Sequence, residues 1–305
     1  MAWIPGGTFE MGSDRHYPEE APAHPVVVDG FFIDVTPVTN REFARFVAAT
    51  GYVTLAERAP AAEAYPGAPP DLLVPGSLVF VAPQCSGDPQ DWTRWWRFTP
   101  GADWRHPEGP GSSTAARMDH PVVHVCHQDA LAYARWCEKD LPREAEWECA
   151  ARGGLEGRDF PWGDELAPGG MHLANTWQGR FPEENLASDG YVGTSPVTAF
   201  PPNGFGLFDM IGNVWEWTDD WYRPRHGEAA RKACCVPRNP RGGEAAESID
   251  STSPDSAPRK VLKGGSHLCA PNYCRRYRPA ARQPQTLDTA SVHIGFRCVL
   301  RPPTP

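Results

Sequence analysis

The chain has 305 residues, enough for one large domain or two small ones. Its 29 glycines and 34 prolines make up roughly a fifth of it, against a usual share of about 12%, which excludes helix bundles and coiled coils because proline lacks the amide a helix interior needs. At 40% hydrophobic it can bury a core, while a net charge of −9 and the lack of any apolar run of about 18 residues exclude a basic nucleic-acid binder and a membrane span. Residues 2–12 read as a short strand and turn punctuated by Gly6-Gly7, and 26–35 as a Val-, Ile- and Phe-rich strand interrupted at Asp29-Gly30. A helix follows. Thr39 and Glu42 have capping-box spacing, Phe43, Phe46 and Val47 form one apolar face, and Gly51 stops it. Residues 52–120 are rich in Pro, Gly and Trp and poor in periodicity, and are expected to be ordered loop. A second helix is predicted over 127–140, with Ala130, Ala134 and Cys137 on one stripe, and a third from Pro142 to Gly153-Gly154. Short strands and turns fill the remainder, and the polar stretch 225–260 is expected to be a mobile loop. No compositional break divides the chain, so 1–305 is expected to be one domain.

Charge and cysteines narrow the setting. Residues 261–305 hold seven cations (Lys263, Arg275, Arg276, Arg278, Arg282, Arg297 and Arg301) and one acid, Asp288. Either these cations pair with acids elsewhere in the fold or they form a patch near a working site. The opening MAWIPGGTFEMG has neither the basic nor the apolar region of a signal peptide, which points to the cytoplasm. Nine cysteines, an odd count, fit that reducing compartment better than a disulfide framework. Cys137 and Cys149 fall in helical patterns and are expected to be buried small hydrophobes. The vicinal Cys234-Cys235 pair lies in a polar stretch, where loop, metal and redox roles all stay open.

The chemical centre is the segment Lys263-Gly-Gly-Ser-His-Leu-Cys269-Ala-Pro-Asn-Tyr-Cys274. Its two thiols sit five residues apart, flanked by Lys263, Ser266, His267, Tyr273, Arg275 and Arg276, and cationic neighbours favour thiolate. Gly264-Gly265 permits a tight turn before the pair, and Pro271 forbids a regular helix across it. Structural zinc normally brings a second close Cys or His pair, and none is evident. A redox disulfide, a linear Cu(I) site suited to two soft sulfurs, and two packed cysteines without chemistry remain open from the residues alone.

Longer blocks then carry a resemblance. IPGGTFEMGS at 4–13, PVTNREFARFV at 37–47, HPVVHV at 120–125, LPREAEWECAARGG at 141–154, NGFGLFDMIGNVWEWTDDWY at 203–222, KGGSHLCAPNYCRRYRPAAR at 263–282 and HIGFRC at 293–298 resemble the formylglycine-generating enzymes, the sulfatase-modifying factors. The first blocks and GNVWEW occur across the whole superfamily and report fold, whereas GGSxxCxxxxC is selective for the catalytic members. The resemblance implies an α+β fold, a C-type-lectin-like variant with low regular secondary-structure content. It implies oxidation of the cysteine in a Cys-x-Pro-x-Arg stretch of an unfolded sulfatase to Cα-formylglycine, with O₂ as co-substrate and a thiol reductant. In that reading Cys269 and Cys274 hold Cu(I), Ser266 and Tyr273 line the oxygen pocket, Trp215 packs beside it, and His293 lies near the substrate. Two structural calcium ions are also implied. The first would use the side chains of Asn175 and Asp189 with the carbonyls of Thr176 and Tyr191. The second would use the side chains of Asp209 and Glu216 with the carbonyls of Gly212 and Val214. Asn and Asp are also turn formers, which is the competing reading of both sets.

The expected protein is a cytoplasmic monomer. Of the positions where secreted relatives carry disulfides, Ala134, Ala151 and Pro279 have lost the cysteine and only Cys298 keeps it. Pro142-Arg143 stands where the family carries a Thr cap, with an expected cost of about 1 kcal/mol to the third helix.

Overall fold

In chain order the elements are β1 (Ala2–Ile4), β2 (Gly7–Met11), β3 (His24–Val28), β4 (Phe31–Ile33), α1 (Asn40–Thr50), β5 (Gly76–Phe80), β6 (Trp96–Pro100), α2 (His127–Trp136), α3 (Glu144–Ala151), β7 (Trp215–Trp221), β8 (Arg259–Lys263), β9 (Arg282–Thr286), β10 (Ile294–Gly295) and β11 (Val299–Leu300). The computed structural model describes residues 1–85, 87–88, 91–226, 236–251 and 256–303. Cys234-Cys235 and part of the 225–260 stretch lie outside the described residues. Within that stretch, Ala245–Ser248 forms a short 3₁₀ turn, and residues 259–260 already belong to β8.

Four small sheets share the work. β1, β4 and β11 form one, which joins the two ends of the chain, and β2 pairs with β3. β5 and β6 form a hairpin inside the segment expected to be loop. The fourth sheet, in the order β10-β7-β8-β9, carries the GNVWEW and KGGS blocks side by side. Only its β10–β7 pair is parallel.

α1 follows the sequence closely. Thr39 accepts from the Glu42 amide, Glu42 reaches back to the Thr39 amide, and Gly51 ends the helix in the left-handed region. α2 stops at Trp136, short of the expected 140, because Glu138 turns left-handed and Asp140 leaves to bridge to Val299. α3 begins at Glu144, because the Pro142 carbonyl accepts from the Asp219 amide beside β7. As expected, Arg143 at the N-cap makes no side-chain cap bond. Asp220, a residue of β7, accepts from the Glu144 amide at 2.7 Å and so satisfies a different open amide of the first turn.

Aromatic contacts fill the core. Phe43 stacks on Tyr133 at 5.9 Å and meets Trp104 edge-on at 5.2 Å. Trp95, Trp147 and Trp217 are fully buried. Such rings bury large areas without needing long helices or wide sheets around them. Cys137 and Cys149 are half-buried and packed against this core. The C-terminal cations behave as structural partners. Arg278 pairs with Glu20, Arg282 with Glu144, Arg297 with Glu216 and Lys263 with Glu148, each pair buried.

Candidate active site

β8 delivers the chain to Gly264 and Gly265, whose φ values of +93° and +72° lie in the left-handed region. A Cβ on Gly265 would stand 2.9 Å from the backbone of Arg276 and Tyr277, so only glycine lets the two ends of the loop touch. Inside the loop, the Leu268 amide donates to Ser266 Oγ at 3.2 Å and the Cys274 amide to the Ala270 carbonyl at 2.9 Å. Asn272 clamps Phe181 from both sides, donating to its carbonyl at 3.0 Å and accepting from its amide at 3.3 Å.

These constraints bring Cys269 Sγ and Cys274 Sγ to 3.3 Å, and both cysteines are free thiols. The pair shares one proton unequally. Cys274 is held below the usual thiol range, first by the hydrogen bond from Cys269 and then, against the opposing effect of burial, by the Arg276 guanidinium 4.0 Å away. Burial and the neighbouring Cys274 sulfur push Cys269 well up. The opposite directions favour Cys269 as the thiol that donates and Cys274 as the sulfur that carries negative charge. Glu19 holds Arg276 at 2.6 Å, and the guanidinium lies over the Tyr17 ring.

The sulfurs face a cleft of about 500 Å³. Ser266, Tyr273, Trp215 and His293 line it, as do Trp92, Trp96, Phe181, Asn272 and Arg276. Tyr273 stacks on Phe181 at 4.5 Å and meets buried Trp95 edge-on at 5.6 Å, so its ring is fixed while its edge reaches the mouth. His293 tilts against Trp96 at 4.7 Å and shares a 2.8 Å hydrogen bond with Ser291. Burial pulls its imidazole down to about 3, so it stays neutral. All four expected site residues around the cysteines therefore meet in one cleft with them. Sequence reading missed the aromatic wall of Trp92, Trp96 and Phe181. The Trp95-Trp96 dipeptide was its only signal, and nothing in periodicity separated a core Trp95 from a cleft-lining Trp96.

The two expected cation sites lie back to back. The Asn175 carbonyl accepts from the Asn213 amide at 2.8 Å, and a Cβ on Gly212 would lie 2.3 Å from that same oxygen. In the first set, Asn175 Oδ1 is buried without a partner, while the Thr176 carbonyl and Asp189 Oδ2 converge on one donor, Gln178 Nε2. Tyr191 is tied to Asp189 through its amide at 3.0 Å. In the second set, Asp209 Oδ1 is buried without a partner, and burial pushes the carboxyl up to about 7. Gly212 and Val214 flank Asn213 on the way to Glu216, whose carboxylate receives Arg297 at 2.7 and 2.8 Å and the Trp147 indole at 2.7 Å. Orphaned oxygens in both sets fit a hard cation. Among the described residues no group of three or more His, Cys, Asp or Glu side chains is placed to hold a metal, so either set would depend on carbonyl oxygens.

Comparison with known proteins decides the family. The sulfatase-modifying factor enzyme 1-like domain matches residues 1–302. A formylglycine-generating enzyme from Mycobacterium tuberculosis is 54% identical, covering 98% of this chain and 97% of the relative. The chain belongs to the sulfatase-modifying factor family. Its α+β architecture with little regular structure is the C-type-lectin-like fold of that family. A solved structure of PvdO from Pseudomonas aeruginosa superimposes with a TM-score of 0.61 at 26% identity, covering 97% of this chain and 92% of that one. The family also includes a mouse protein named inactive C-alpha-formylglycine-generating enzyme 2, 38% identical over 98% of this chain and 84% of the relative. Membership in the sulfatase-modifying factor family therefore does not by itself establish activity, and the cysteine cleft has to carry that argument.

Proposed function

We propose that this chain oxidises the cysteine of a Cys-x-Pro-x-Arg stretch in unfolded sulfatases to Cα-formylglycine, with O₂ as oxidant and a thiol as reductant. The observation that carries the proposal is the reduced Cys269–Cys274 pair, 3.3 Å apart on the wall of an open aromatic cleft. The substrate CH₂–SH, O₂, two protons and two electrons from thiols give the aldehyde, hydrogen sulfide and water. Cu(I) fits the pair, because the donors are soft sulfurs and one is already held as thiolate. Cys269 and Cys274 would hold the ion, and when bound it would supply the one-electron chemistry that O₂ needs.

The chain's own residues prepare the cleft. Trp215, Trp96 and Phe181 exclude water from the sulfurs. The Ser266 hydroxyl and the Tyr273 phenol line the oxygen side, and burial keeps that phenol protonated as a donor. Neutral His293 can hydrogen-bond the substrate backbone without adding charge beside the thiolate. Two structural calcium ions, a monomeric state, a cytoplasmic setting and a single catalytic domain belong to the same proposal. The free state of the described cysteines supports the reducing compartment, and no described helix is long and apolar enough to cross a membrane.

A second reading has its own support. A lowered Cys274 beside a protonated Cys269 also suits a metal-free thiol oxygenase that shuttles through a disulfide or sulfenic acid. The deciding experiment strips metal with a Cu(I) chelator, adds a Cys-x-Pro-x-Arg peptide with O₂ and thiol, and follows aldehyde by mass spectrometry. Aldehyde that returns only with Cu(I) supports the copper reading. Full turnover of stripped protein selects the metal-free one. No aldehyde under either condition leaves a lectin-like binding module and sinks both.

A further inference from the structure

The imidazole of His293 is neutral, because burial pulls it down to about 3, so one ring nitrogen carries a hydrogen and the other a lone pair. Which nitrogen is which decides whether the cleft is offered a donor or an acceptor at this point of its wall. Nδ1 lies 2.8 Å from Ser291 Oγ, and Nε2 has no protein partner among the described residues. Ser291 is 1% exposed, and among the described residues its hydroxyl has that nitrogen as its one partner. Were the hydrogen on Nδ1 and donated to the serine, the hydroxyl hydrogen would be left stranded in a buried site, a penalty of about tenfold or more in the tautomer ratio. The hydroxyl therefore donates to Nδ1, and the ring's own hydrogen sits on Nε2.

Both residues are anchored by the same hairpin. Ser291 bridges to Leu78 of β5, its carbonyl accepts from the His124 amide at 2.9 Å, and the Val292 amide donates to the Leu78 carbonyl at 3.0 Å. β6, which pairs with β5, supplies Trp96, whose ring lies 4.7 Å from His293. On the other side the His293 carbonyl accepts from the Trp215 amide at 2.9 Å. The freedom left to the imidazole is a half-turn of its ring, which would put a carbon where Nδ1 stands and lose the serine bond.

We infer that Ser291 is a positioning residue for the reaction: it locks His293 in the Nε2–H form, so that the cleft presents a neutral donor that takes a carbonyl oxygen of the substrate backbone and not an amide. The inference rests on the substrate reading above and gives its His293 contact a fixed polarity. A serine is suited to the task because its hydroxyl supplies one hydrogen and adds no charge to the cleft that holds the Cys274 sulfur.

The test uses the full chain with ¹⁵N-labelled histidines and two-bond ¹H–¹⁵N spectra, in which His293 is assigned by its loss in His293→Asn. The unaltered chain is expected to show His293 with a protonated Nε2 and a bare Nδ1. Ser291→Ala is expected to lose that single form and show a mixture. Affinity is read separately, by fluorescence anisotropy of a labelled Cys-x-Pro-x-Arg peptide in which Ser replaces the cysteine, so it does not depend on turnover. There Ser291→Ala is expected to weaken binding about three- to tenfold, as for one hydrogen bond no longer aimed. Ser291→Thr keeps the hydroxyl and is expected to restore both readings. His293→Asn offers an amide donor that has no tautomer to set, so Ser291→Ala added to it is expected to change affinity by less than about twofold. A purely structural serine would weaken the peptide equally in both backgrounds, and that result would overturn the inference. So would a hydrogen on Nδ1 in the unaltered chain. If Cys-containing peptides give no aldehyde while the spectra and affinities follow Ser291, the oxidation reading fails and the positioning role stands.

Discussion

Asp209 gives the sharpest test of the expected calcium sites, because its protonation runs against the usual pH trend for acids. Its carboxyl is 8% exposed, has one oxygen without a partner, and is pushed by burial from 3.8 to about 7. A raised folded-state pKa means that the metal-free fold binds more protons than the unfolded chain between about pH 4 and pH 7. Its contribution is fully present below about pH 4 and is lost as pH rises through about 7. Three units at about 1.4 kcal/mol each come to roughly 4 kcal/mol over the whole window. The interval from pH 5 to pH 8 samples about two of those units, so roughly 3 kcal/mol. Chelator-treated protein is therefore expected to be less stable at pH 8 than at pH 5 in urea unfolding. Calcium binds the ionised form, so millimolar Ca²⁺ is expected to restore stability at pH 8 and to do little at pH 5. Asp209→Asn removes the proton and is expected to flatten both the pH slope and the calcium response, which separates Asp209 from other titrating groups. A native chain whose stability at pH 8 ignores calcium would refute the cation assignment and leave Asp209 as a buried neutral acid.

Other substitutions probe the remaining links. Cys269→Ala or Cys274→Ala is expected to lower aldehyde formation at least a hundredfold, about 3 kcal/mol of barrier, with little change in thermal unfolding. A Cys269→Ala chain that still turns over would refute the site. Arg297→Met is expected to cost about 3–5 kcal/mol in urea unfolding, because it strands the buried Glu216 carboxylate. A cost below 1 kcal/mol would mean that Glu216 is satisfied by another group. Gly265→Ala is expected to destabilise by about 1–3 kcal/mol and to lower activity further, since the strain falls on the loop that sets the sulfur separation. Unchanged kinetics would show that the separation is not under backbone control.

Where the sequence was legible, local chemistry was sufficient. The Thr39–Glu42 box and Gly51 bound α1 through neighbours three and four residues away, so spacing alone located both ends. α2 and α3 were misjudged at their ends because distant partners decide them. Asp140 is drawn out by Val299, and the first amide of α3, that of Glu144, is taken by Asp220, seventy-six residues further on. Short-range rules correctly see a missing Thr cap there. They have no access to a carboxylate that arrives through the β7–β8 sheet. The β5–β6 hairpin escaped for a related reason. Its strands are five residues each, and the residues between them, rich in turn formers, hide the alternation.

The same division explains the site. The residues of the GGSxxCxxxxC block that matter for chemistry are close in sequence, so their joint presence was readable, but their geometry was not. Pro271 only excluded a helix between the cysteines. The 3.3 Å separation comes from two contacts that are far apart in the chain: Gly265 against the backbone of Arg276 and Tyr277, and Asn272 against Phe181, ninety-one residues earlier. The charge on the pair has an equally distant origin. Arg276 sits two residues from Cys274, yet its guanidinium is aimed by Glu19 and Tyr17 at the opposite end of the sequence. A helical or wide-sheet scaffold would supply such constraints through its own backbone ladder. Here the sheets are two to four strands wide, so tryptophans, glycine turns and buried ion pairs must hold the two sulfurs at a fixed spacing while the cleft beside them stays open. The excess of Gly and Trp therefore has a mechanical reason, and it predicts that loosening a remote clamp will disturb the cysteine pair before it unfolds the chain.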